Sequence, residues 1–452
     1  MKHFIAIAVL VGSPVLAQEV PPETISLKIK AASAEKSNAV RLLPASPDME
    51  DGNGAVVMLR LIWEKTGWMQ EVWPKLDEVA ELPHDDPKVA AIPFDNFERQ
   101  LRRAARMKEA HWEYPLHTEP LAMVLLPDVQ GLRNLAGRGM KIWIGQQIAK
   151  GDLKAAREGI LTQLGCARHI AKTPFVVTHL VAVAIARMGL DRAELLIQQD
   201  EAPNLYWALS GLPDSIGPVH EPLEWESRML EKSLPALRDH LPPTGDPRWE
   251  QAAHEFSEFV MLNTTKRLTM LEAATLRVRL LTVAASNLKS KHGFNEADVA
   301  KMSEEERMLR WVMLARSQFN TRIENAFTLP GPQAIKALLG VGRDTEALEK
   351  SVEAPASPFM KHPENIYMGL YGFGRRVKFL QTVEALRDHM SRHDGRLPKS
   401  LDDIELPVPT DPFTGKPFEY RVSKQTATLK MVRIEGIKRQ SQRIYRISAV
   451  NP

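Results

Sequence analysis

The longest apolar run that follows the N-terminal region covers residues 175–190, with the sequence FVVTHLVAVAIARMGL. Only Thr178, His179 and Arg187 interrupt its hydrophobic character. A helix that is apolar on nearly every face has to be covered by neighbouring elements. The run is shorter than the roughly 20 residues that a membrane crossing needs. The pattern therefore predicts a helix at the centre of a protein core.

Amphipathic helical patterns lie on both sides of this run. Apolar residues recur every three or four positions over residues 129–143 and again over residues 153–171, and a Gly-Asp pair separates the two stretches. The segment Pro203–Pro213 (PNLYWALSGLP) predicts a short helix, and further helical patterns follow it. Helices joined by tight turns are typical of helical-hairpin solenoids. We therefore predict a mainly α fold with a repeat-like helical-hairpin body over residues 52–342.

The pattern changes toward the C-terminus. A stripe of apolar positions over residues 373–390 predicts a long helix, and strand patterns follow at residues 418–422, 427–432 and 444–449. A long helix laid on a small antiparallel sheet buries the apolar face of both elements. Residues 363–452 are therefore predicted to form a small α+β module.

A linker is predicted between the helical body and this module. Residues 343–362 lose the helical pattern and contain the segment EAPASP, a composition typical of linkers. Gly369, Gly372 and Gly374 follow closely, and we expect them to form a loose, turn-like entry to the long helix.

The N-terminus has the order of features found in secretory signal peptides. Lys2 supplies a positive charge, residues 4–11 are apolar, a proline ends the run, and Val-Leu-Ala precedes a cleavage position after Ala17. We predict a signal peptide over residues 1–17, export to the periplasm or the outside of the cell, and no membrane span in the mature chain. The polar, proline-containing residues 18–51 are predicted to be a poorly ordered lead with one short helix.

Charge and cysteine content narrow the function classes. The chain of 452 residues has 59 Lys and Arg against 56 Asp and Glu, a net charge of +3, and charges of both signs are interspersed. This distribution argues against a nucleic-acid-binding protein. The single cysteine, Cys166, permits no intramolecular disulfide and is predicted to be a small buried residue of a helix.

One basic stretch leaves two interpretations open. Arg99, Arg102, Arg103 and Arg106 lie along a helix predicted over residues 93–110. They form either a patch for an anionic polymer or a solvated helix face whose charges are partly paired with neighbouring glutamates.

Two stretches resemble known families. PNLYWALSGLP, with the helix before it, resembles a family of exported bacterial helical proteins of uncharacterised function. The segment DGRLPKSLDDIELPVPTDPFTGKPFEYR is similar to the globular part of the major pseudopilins of type II secretion systems. The matching positions are Gly395, Pro398, Asp411, Pro412, Gly415, Pro417 and Tyr420. The chain lacks the prepilin cleavage site and membrane helix of pseudopilins, so the resemblance implies their fold without their polymerisation.

The pseudopilin resemblance also raises calcium as a cofactor. Pseudopilins often hold this ion beside the loop that Asp411 would begin. Calcium takes six to eight oxygen ligands, and this loop offers few carboxylates. An Asp-initiated turn is the alternative interpretation, and we predict no resident cofactor.

Three further constellations could carry chemistry. His389 and His393 are spaced to face one metal ion, or to favour a helix end through the helix dipole. Paired carboxylates serve glycoside cleavage when they flank a cleft, whereas acidic residues also favour a helix start. The three such carboxylates are Glu221, Glu224 and Glu226. Tryptophans stack on sugars or anchor a core. The three close together in the chain are Trp63, Trp68 and Trp73.

The sequence contains no nucleophile elbow, phosphate-binding loop or dinucleotide fingerprint. The first hypothesis is therefore a non-enzymatic binding or scaffold protein of the cell envelope, whose partner is an envelope protein or polymer. The second is a hydrolase of an envelope glycan that uses the carboxylates and tryptophans named above. A metal-responsive C-terminal module is the third.

Overall fold

In a computed structural model of the protein, the described residues are 22–79, 82–94, 96–114, 128–232, 234–237, 240–263, 269–352, 362–437, 440 and 442–450. The helices are α1 (Gly54–Glu64), α2 (Thr66–Val79), α3 (Pro87–Ala90), α4 (Phe97–Ala105), α5 (Met140–Ala149, after a π-helical stretch at Arg133–Gly139), α6 (Leu153–Ile170), α7 (Val176–Leu196), α8 (Tyr206–Ser210), α9 (His220–Lys232), α10 (Arg248–Asn263), α11 (Met270–His292), α12 (Glu296–Lys301), α13 (Glu304–Phe327), α14 (Gly331–Val352) and α15 (Pro363–Arg392). The strands are β1 (Glu23–Ile29), β2 (Glu50–Asn53), β3 (Met107–Glu109), β4 (Glu419–Ser423), β5 (Thr426–Lys430) and β6 (Arg443–Ala449). The fold is mainly α with a small strand-bearing part, as predicted.

The described chain divides into two compact units, each with a hydrophobic core of its own. The insert unit is His220–Ile366. The main unit combines Gln18–Tyr114, Met123–Val219 and Tyr367–Pro452. This division differs from the prediction, because residues 363–452 do not stand apart but share a core with the N-terminal half of the chain. Contacts between segments so distant in sequence leave no local pattern.

The predicted central helix is confirmed. Helix α7 contains the apolar run and continues to Leu196, and its buried positions lie around the whole helix. They include the polar Thr178, His179 and Glu194. Helix α6 packs along α7. The tight turn before α6 has Gly151 at φ +75°, and Asp152 caps the helix by accepting a hydrogen bond from the backbone N–H of Ala155.

Helix α15 is the second central element of the main unit. Its apolar stripe is buried, and Phe379 stacks on Tyr445 of β6 with ring centroids 4.6 Å apart. The arrangement of a long helix on a small sheet agrees with the prediction, and the three predicted C-terminal strands are present. The family resemblances suggested by the sequence stay predictions.

The sheet contains one strand that was not predicted. Its order is β1-β6-β5-β4, in which β4, β5 and β6 are antiparallel and β1 runs parallel to β6. The described part of the predicted poorly ordered lead, residues 22–51, therefore differs from the prediction, because it contains β1. The alternation of Ile25, Leu27 and Ile29 is a period-2 signal, and Leu27 and Ile29 are fully buried. Their partner strand lies more than 400 residues away in sequence, so the local pattern could not show the pairing.

A buried ionic network joins the central elements. The carboxylate of Glu194 on α7 accepts hydrogen bonds from Arg376 of α15 at 2.8 Å, from Arg443 of β6 at 2.7 Å and from the hydroxyl of Tyr445. Burial, followed by the neighbouring Glu194, raises the pKa of Tyr445 well above its usual value. The network satisfies charges that would otherwise be costly to bury.

The three glycines near the start of α15 are not a loose entry, because the helix already begins at Pro363. They lie within it. The backbone N–H of Gly374 donates to the carbonyl oxygen of Asp214 at 3.1 Å, and a Cβ on Gly374 would come within 2.4 Å of that oxygen. This glycine therefore permits close contact between α15 and the segment that follows α8.

The insert unit is built from helices around two buried tryptophans, Trp249 and Trp311. The guanidinium of Arg310 lies 4.8 Å from the ring centroid of Trp249 and donates to the buried Glu306 at 2.8 Å. The carboxylate of Glu306 also accepts the backbone N–H of Gly245 at 2.8 Å. The helix α14 continues to Val352, so the residues of the predicted linker before 353 are helical, and residues 353–361 lie outside the described residues.

Candidate anion-binding cleft

The main unit has an open cavity of about 320 Å³, which we call the basic cleft. The segment that precedes β2, the end of α4 and the second turn of α6 form its walls. Its residues are Lys36, Ser37, Ala39, Val40, Arg41, Pro44, Asp48, Arg106, Arg157, Glu158 and Leu161. The lining includes four cationic residues and two carboxylates, Asp48 and Glu158, so it has an excess of two positive charges.

The segment that precedes β2 is held in place at several points. The backbone N–H of Ala34 donates to the buried carboxylate of Asp388 at 2.7 Å, and Leu42 is buried in the core. The N–H of Glu50 donates to the carbonyl oxygen of Arg106 at 2.8 Å. These contacts fix one wall of the cleft to α15 and to the end of α4.

Several hydrogen-bond donors of the cleft are oriented in advance. Nη1 of Arg41 donates to the carbonyl oxygens of Asn38 and Val40 at 2.6 and 3.0 Å. The rigid guanidinium plane is thereby oriented while its other N–H groups stay available. The Oγ of Ser37 accepts the N–H of Asn204 at 3.2 Å, so its own hydrogen can be donated.

Arginine donors in the cleft exceed the acceptors that the described residues supply. Nη2 of Arg106 donates to Oε2 of Glu158 at 2.6 Å, whereas its Nη1 is buried and has no hydrogen-bond partner among the described residues. Arg157 forms no ion pair with any of the described residues. Unmatched guanidinium groups in a concave surface are suited to binding an anion.

Similarity to known proteins contributes nothing to the interpretation of this cleft. The chain matches no protein-family model, no curated protein and no solved structure at the significance required. Among the helices of the described residues, none is long and apolar enough to cross a membrane.

One of the four cationic residues of the cleft, Arg106, lies in the basic stretch that the sequence marked as a possible anion-binding patch. Arg106 belongs to the basic stretch, although α4 ends at Ala105 and a strand follows it. Lys36, Arg41 and Arg157 were missed. They come from two segments that have no obvious chemical motif, and only their three-dimensional packing brings them to Arg106. An alternating apolar pattern in β1, which anchors the segment carrying Lys36 and Arg41, was the available signal.

The predicted carboxylates lie on α9 of the insert unit. Glu224 is exposed and pairs with Arg228, four residues further along the same helix, at 2.7 Å. Glu221 is exposed, and the backbone carbonyl of Glu226 accepts a hydrogen bond from Arg316 at 3.0 Å. The tryptophans belong to the main unit, so neither unit alone contains the full set of residues that the hydrolase hypothesis requires.

The three tryptophans lie in different surroundings. Trp63 is 80% exposed at the end of α1. The ring of Trp68 lies 5.3 Å from that of Phe97, and its Nε1 donates to the carbonyl oxygen of Pro93 at 3.2 Å. Trp68 is therefore a partly buried residue that packs against the core. Trp73 lies in α2, and its side chain is outside the described set.

Asp411 has a cationic partner within the protein. Arg375 donates to both carboxylate oxygens, at distances from 2.6 to 3.1 Å, and the N–H of Phe413 donates to Oδ1 at 3.1 Å. Both side chains are almost fully buried. Asp411 therefore orders its loop through the ion pair with Arg375 and the hydrogen bond from Phe413. Glu419, the other nearby acidic residue, is exposed and pairs with Lys430.

The rings of His389 and His393 stack, with centroids 4.1 Å apart and planes inclined by 29°. Nitrogen lone pairs lie in the ring plane, so those of stacked rings run side by side and do not converge on one ion. Burial, with a smaller effect of His393, lowers the pKa of His389. The described residues contain no group of three or more His, Cys, Asp or Glu side chains placed to hold a metal ion.

Cys166 is fully buried in α6, as predicted. Burial raises the pKa of its thiol to about 12, so the thiolate is disfavoured at neutral pH.

Proposed function

We propose that this chain is an exported, non-enzymatic binding protein of the cell envelope that holds an anionic ligand in the basic cleft. Export rests on the signal-peptide pattern of residues 1–17, which lie outside the described residues. Binding rests on one observation: cationic residues outnumber carboxylates in the lining of the cleft, and one of them, Arg157, forms no ion pair with the described residues. The anionic group can belong to an envelope protein, a polymer or a small molecule.

The make-up of the cleft supports binding over catalysis. Among its residues, Ser37 has the one hydroxyl group, and no histidine is present to act as its general base. Val40, Pro44 and Leu161 add apolar surface beside the charges. A few oriented polar groups next to apolar surface are typical of ligand sites.

Calorimetric titration of the chain that begins at Gln18 tests the proposal. At low ionic strength we expect inorganic phosphate or phthalate to bind and choline not to bind. Added salt should weaken binding, because the cleft is open to solvent. Arg157→Gln should weaken anion binding about tenfold, since it removes a charged hydrogen-bond donor.

The matched control is Arg421→Gln, which makes the same change at an exposed position on β4 outside the cleft. It should leave the affinity unchanged. Absence of anion binding, or equal affinity of the Arg157→Gln variant and the unchanged chain, would remove the basic cleft as the ligand site.

A further inference from the structure

We propose that the group bound in the basic cleft is a phosphoryl dianion. In the protein without ligand, the carboxylate of Glu158 pairs with Arg106, and the bound phosphoryl group replaces this carboxylate. This inference rests on the proposed anion-binding function. It adds the chemical class of the ligand and a residue that determines specificity.

The charge of the cleft matches a dianion. The lining contains four cationic residues and two carboxylates, so its net charge is +2. The cationic residues are Lys36, Arg41, Arg106 and Arg157, and the carboxylates are Asp48 and Glu158. A phosphomonoester has a charge of about −1.5 to −2 at pH 7. A single carboxylate would leave about half of the excess uncompensated, so a phosphoryl group is the better electrostatic match.

The arrangement of the donors favours a tetrahedral group. Cationic residues line the cleft from three separate segments: Lys36 and Arg41 precede β2, Arg106 follows α4, and Arg157 lies on α6. A phosphoryl group presents three acceptor oxygens that point in different directions. A carboxylate presents two oxygens in one plane. Donors from three segments, with the hydroxyl of Ser37 beside them, therefore suit the phosphoryl group.

Glu158 marks the point where the ligand oxygen would bind. Its side chain and that of Arg106 are only about three-quarters covered, at 28% and 21% exposure. The pair is partly open to water, so solvent screens it and a competing anion in the cleft can replace Glu158. The other nitrogen of this guanidinium, Nη1, is already buried without a partner among the described residues. A phosphoryl oxygen can displace Glu158 from Nη2 of Arg106, because both are charged acceptors for the same donor.

The apolar part of the cleft leaves room for an organic substituent. Val40, Pro44 and Leu161 lie among the charged residues, and the volume of about 320 Å³ is at the small end of ligand sites. We therefore expect a phosphomonoester with a small apolar body to bind more tightly than free phosphate.

The test is calorimetric titration of the chain that begins at Gln18 with phenyl phosphate, inorganic phosphate, benzoate and phthalate. Phenyl phosphate should bind at least tenfold more tightly than either benzoate or phthalate. Benzoate has the same ring with a single negative charge. Phthalate has two negative charges, but they lie on planar carboxylates. Affinity for phenyl phosphate should fall several-fold from pH 7.5 to 5.5, because the second phosphate pKa lies near 6. Affinity for benzoate should change little over that range.

Glu158→Gln should raise the affinity for phenyl phosphate three- to tenfold, because the variant removes a competing charge. If this variant binds no more tightly, the role of Glu158 is refuted. Benzoate or phthalate binding as tightly as phenyl phosphate would overturn the phosphoryl assignment while leaving anion binding intact. If none of the four anions binds, the proposed function itself fails. Equal affinity for inorganic and phenyl phosphate would support free phosphate as the ligand and refute the contribution of the apolar residues.

Discussion

At the residue scale, the buried pair of Asp411 and Arg375 joins α15 to the loop that precedes β4. Asp411→Asn would leave the guanidinium of Arg375 buried at 3% exposure without its counter-charge. We expect a loss of about 3 to 5 kcal/mol in the free energy of unfolding, because removing one partner strands a buried charge. Urea unfolding followed by circular dichroism measures the change.

Glu419→Gln provides the control for this experiment. Glu419 is exposed and lies 3.7 Å from Lys430, so its loss should cost well under about 1 kcal/mol. A similar small effect for Asp411→Asn would mean that the pair contributes little to stability.

His179 makes stability depend on pH. Burial in α7 lowers its pKa to about 4, below the value of about 6.5 in an unfolded chain. Between these values the unfolded state binds more protons, so stability falls as the pH decreases through this window. This residue should contribute about 1.5 kcal/mol of destabilisation between pH 6.5 and pH 5.

Other groups titrate over the same range, so the measurement has to be a difference. The free energy of unfolding is compared at both pH values for the unchanged chain and for His179→Gln, whose side chain has no charge to gain. The loss on acidification should be smaller in the variant. Parallel pH profiles of the two proteins would exclude His179 as a source of acid sensitivity.

At the element scale, the contact between α15 and the segment after α8 depends on a glycine. An alanine in a helix interior is about 1 kcal/mol more favourable than glycine. At Gly374, however, the added Cβ would meet the backbone oxygen of Asp214 at 2.4 Å. We expect Gly374→Ala to destabilise the protein by about 1 to 3 kcal/mol in thermal or urea unfolding, because the clash outweighs the helix preference.

Gly340→Ala on α14 is the matched control with the opposite expected sign. The nearest atom to a Cβ at Gly340 is Nη2 of Arg343, 3.9 Å away. This change should stabilise its helix by up to about 1 kcal/mol. If both substitutions stabilised the protein, the close contact between Gly374 and the backbone of Asp214 would contribute nothing to the free energy of unfolding.

At the scale of the whole molecule, the main unit should fold without the insert unit. Its core contains residues from before Val219 and after Tyr367, and none from between them. The hydrogen bond from Gly374 to Asp214 shows that the two ends of the main unit lie near each other. A Gly/Ser linker of about ten residues, with a mean span of roughly 16 to 19 Å, can connect them.

We therefore expect a chain in which this linker replaces residues 220–366 to unfold cooperatively and to bind phenyl phosphate with unchanged affinity. Circular dichroism with denaturant and calorimetric titration check the two expectations. Aggregation or non-cooperative unfolding would show that the main unit requires the insert unit. Folding with lost affinity would place part of the ligand site outside the main unit.

The order of apolar and polar residues within short stretches of sequence was enough to predict several helices and strands. The apolar run at residues 175–190 predicted the buried helix α7, and the alternating residues near the C-terminus predicted β4, β5 and β6. The apolar stripe after Phe373 predicted α15 and its position against a sheet. Each of these helices and strands is predicted from the spacing of apolar residues along its own segment, which can be read directly from the sequence.

The sequence by itself thus determined the mainly α fold, the central helix and the small sheet. Only the tertiary structure decided which distant segments meet: β1 beside β6, Arg375 on Asp411, and Arg106 in one cleft with Arg157. The physical reason is that burial and charge compensation are properties of a site in space. A buried charge is compensated by a side chain that can lie hundreds of residues away in sequence. The spacing of apolar and polar residues within one segment therefore does not indicate such a pair.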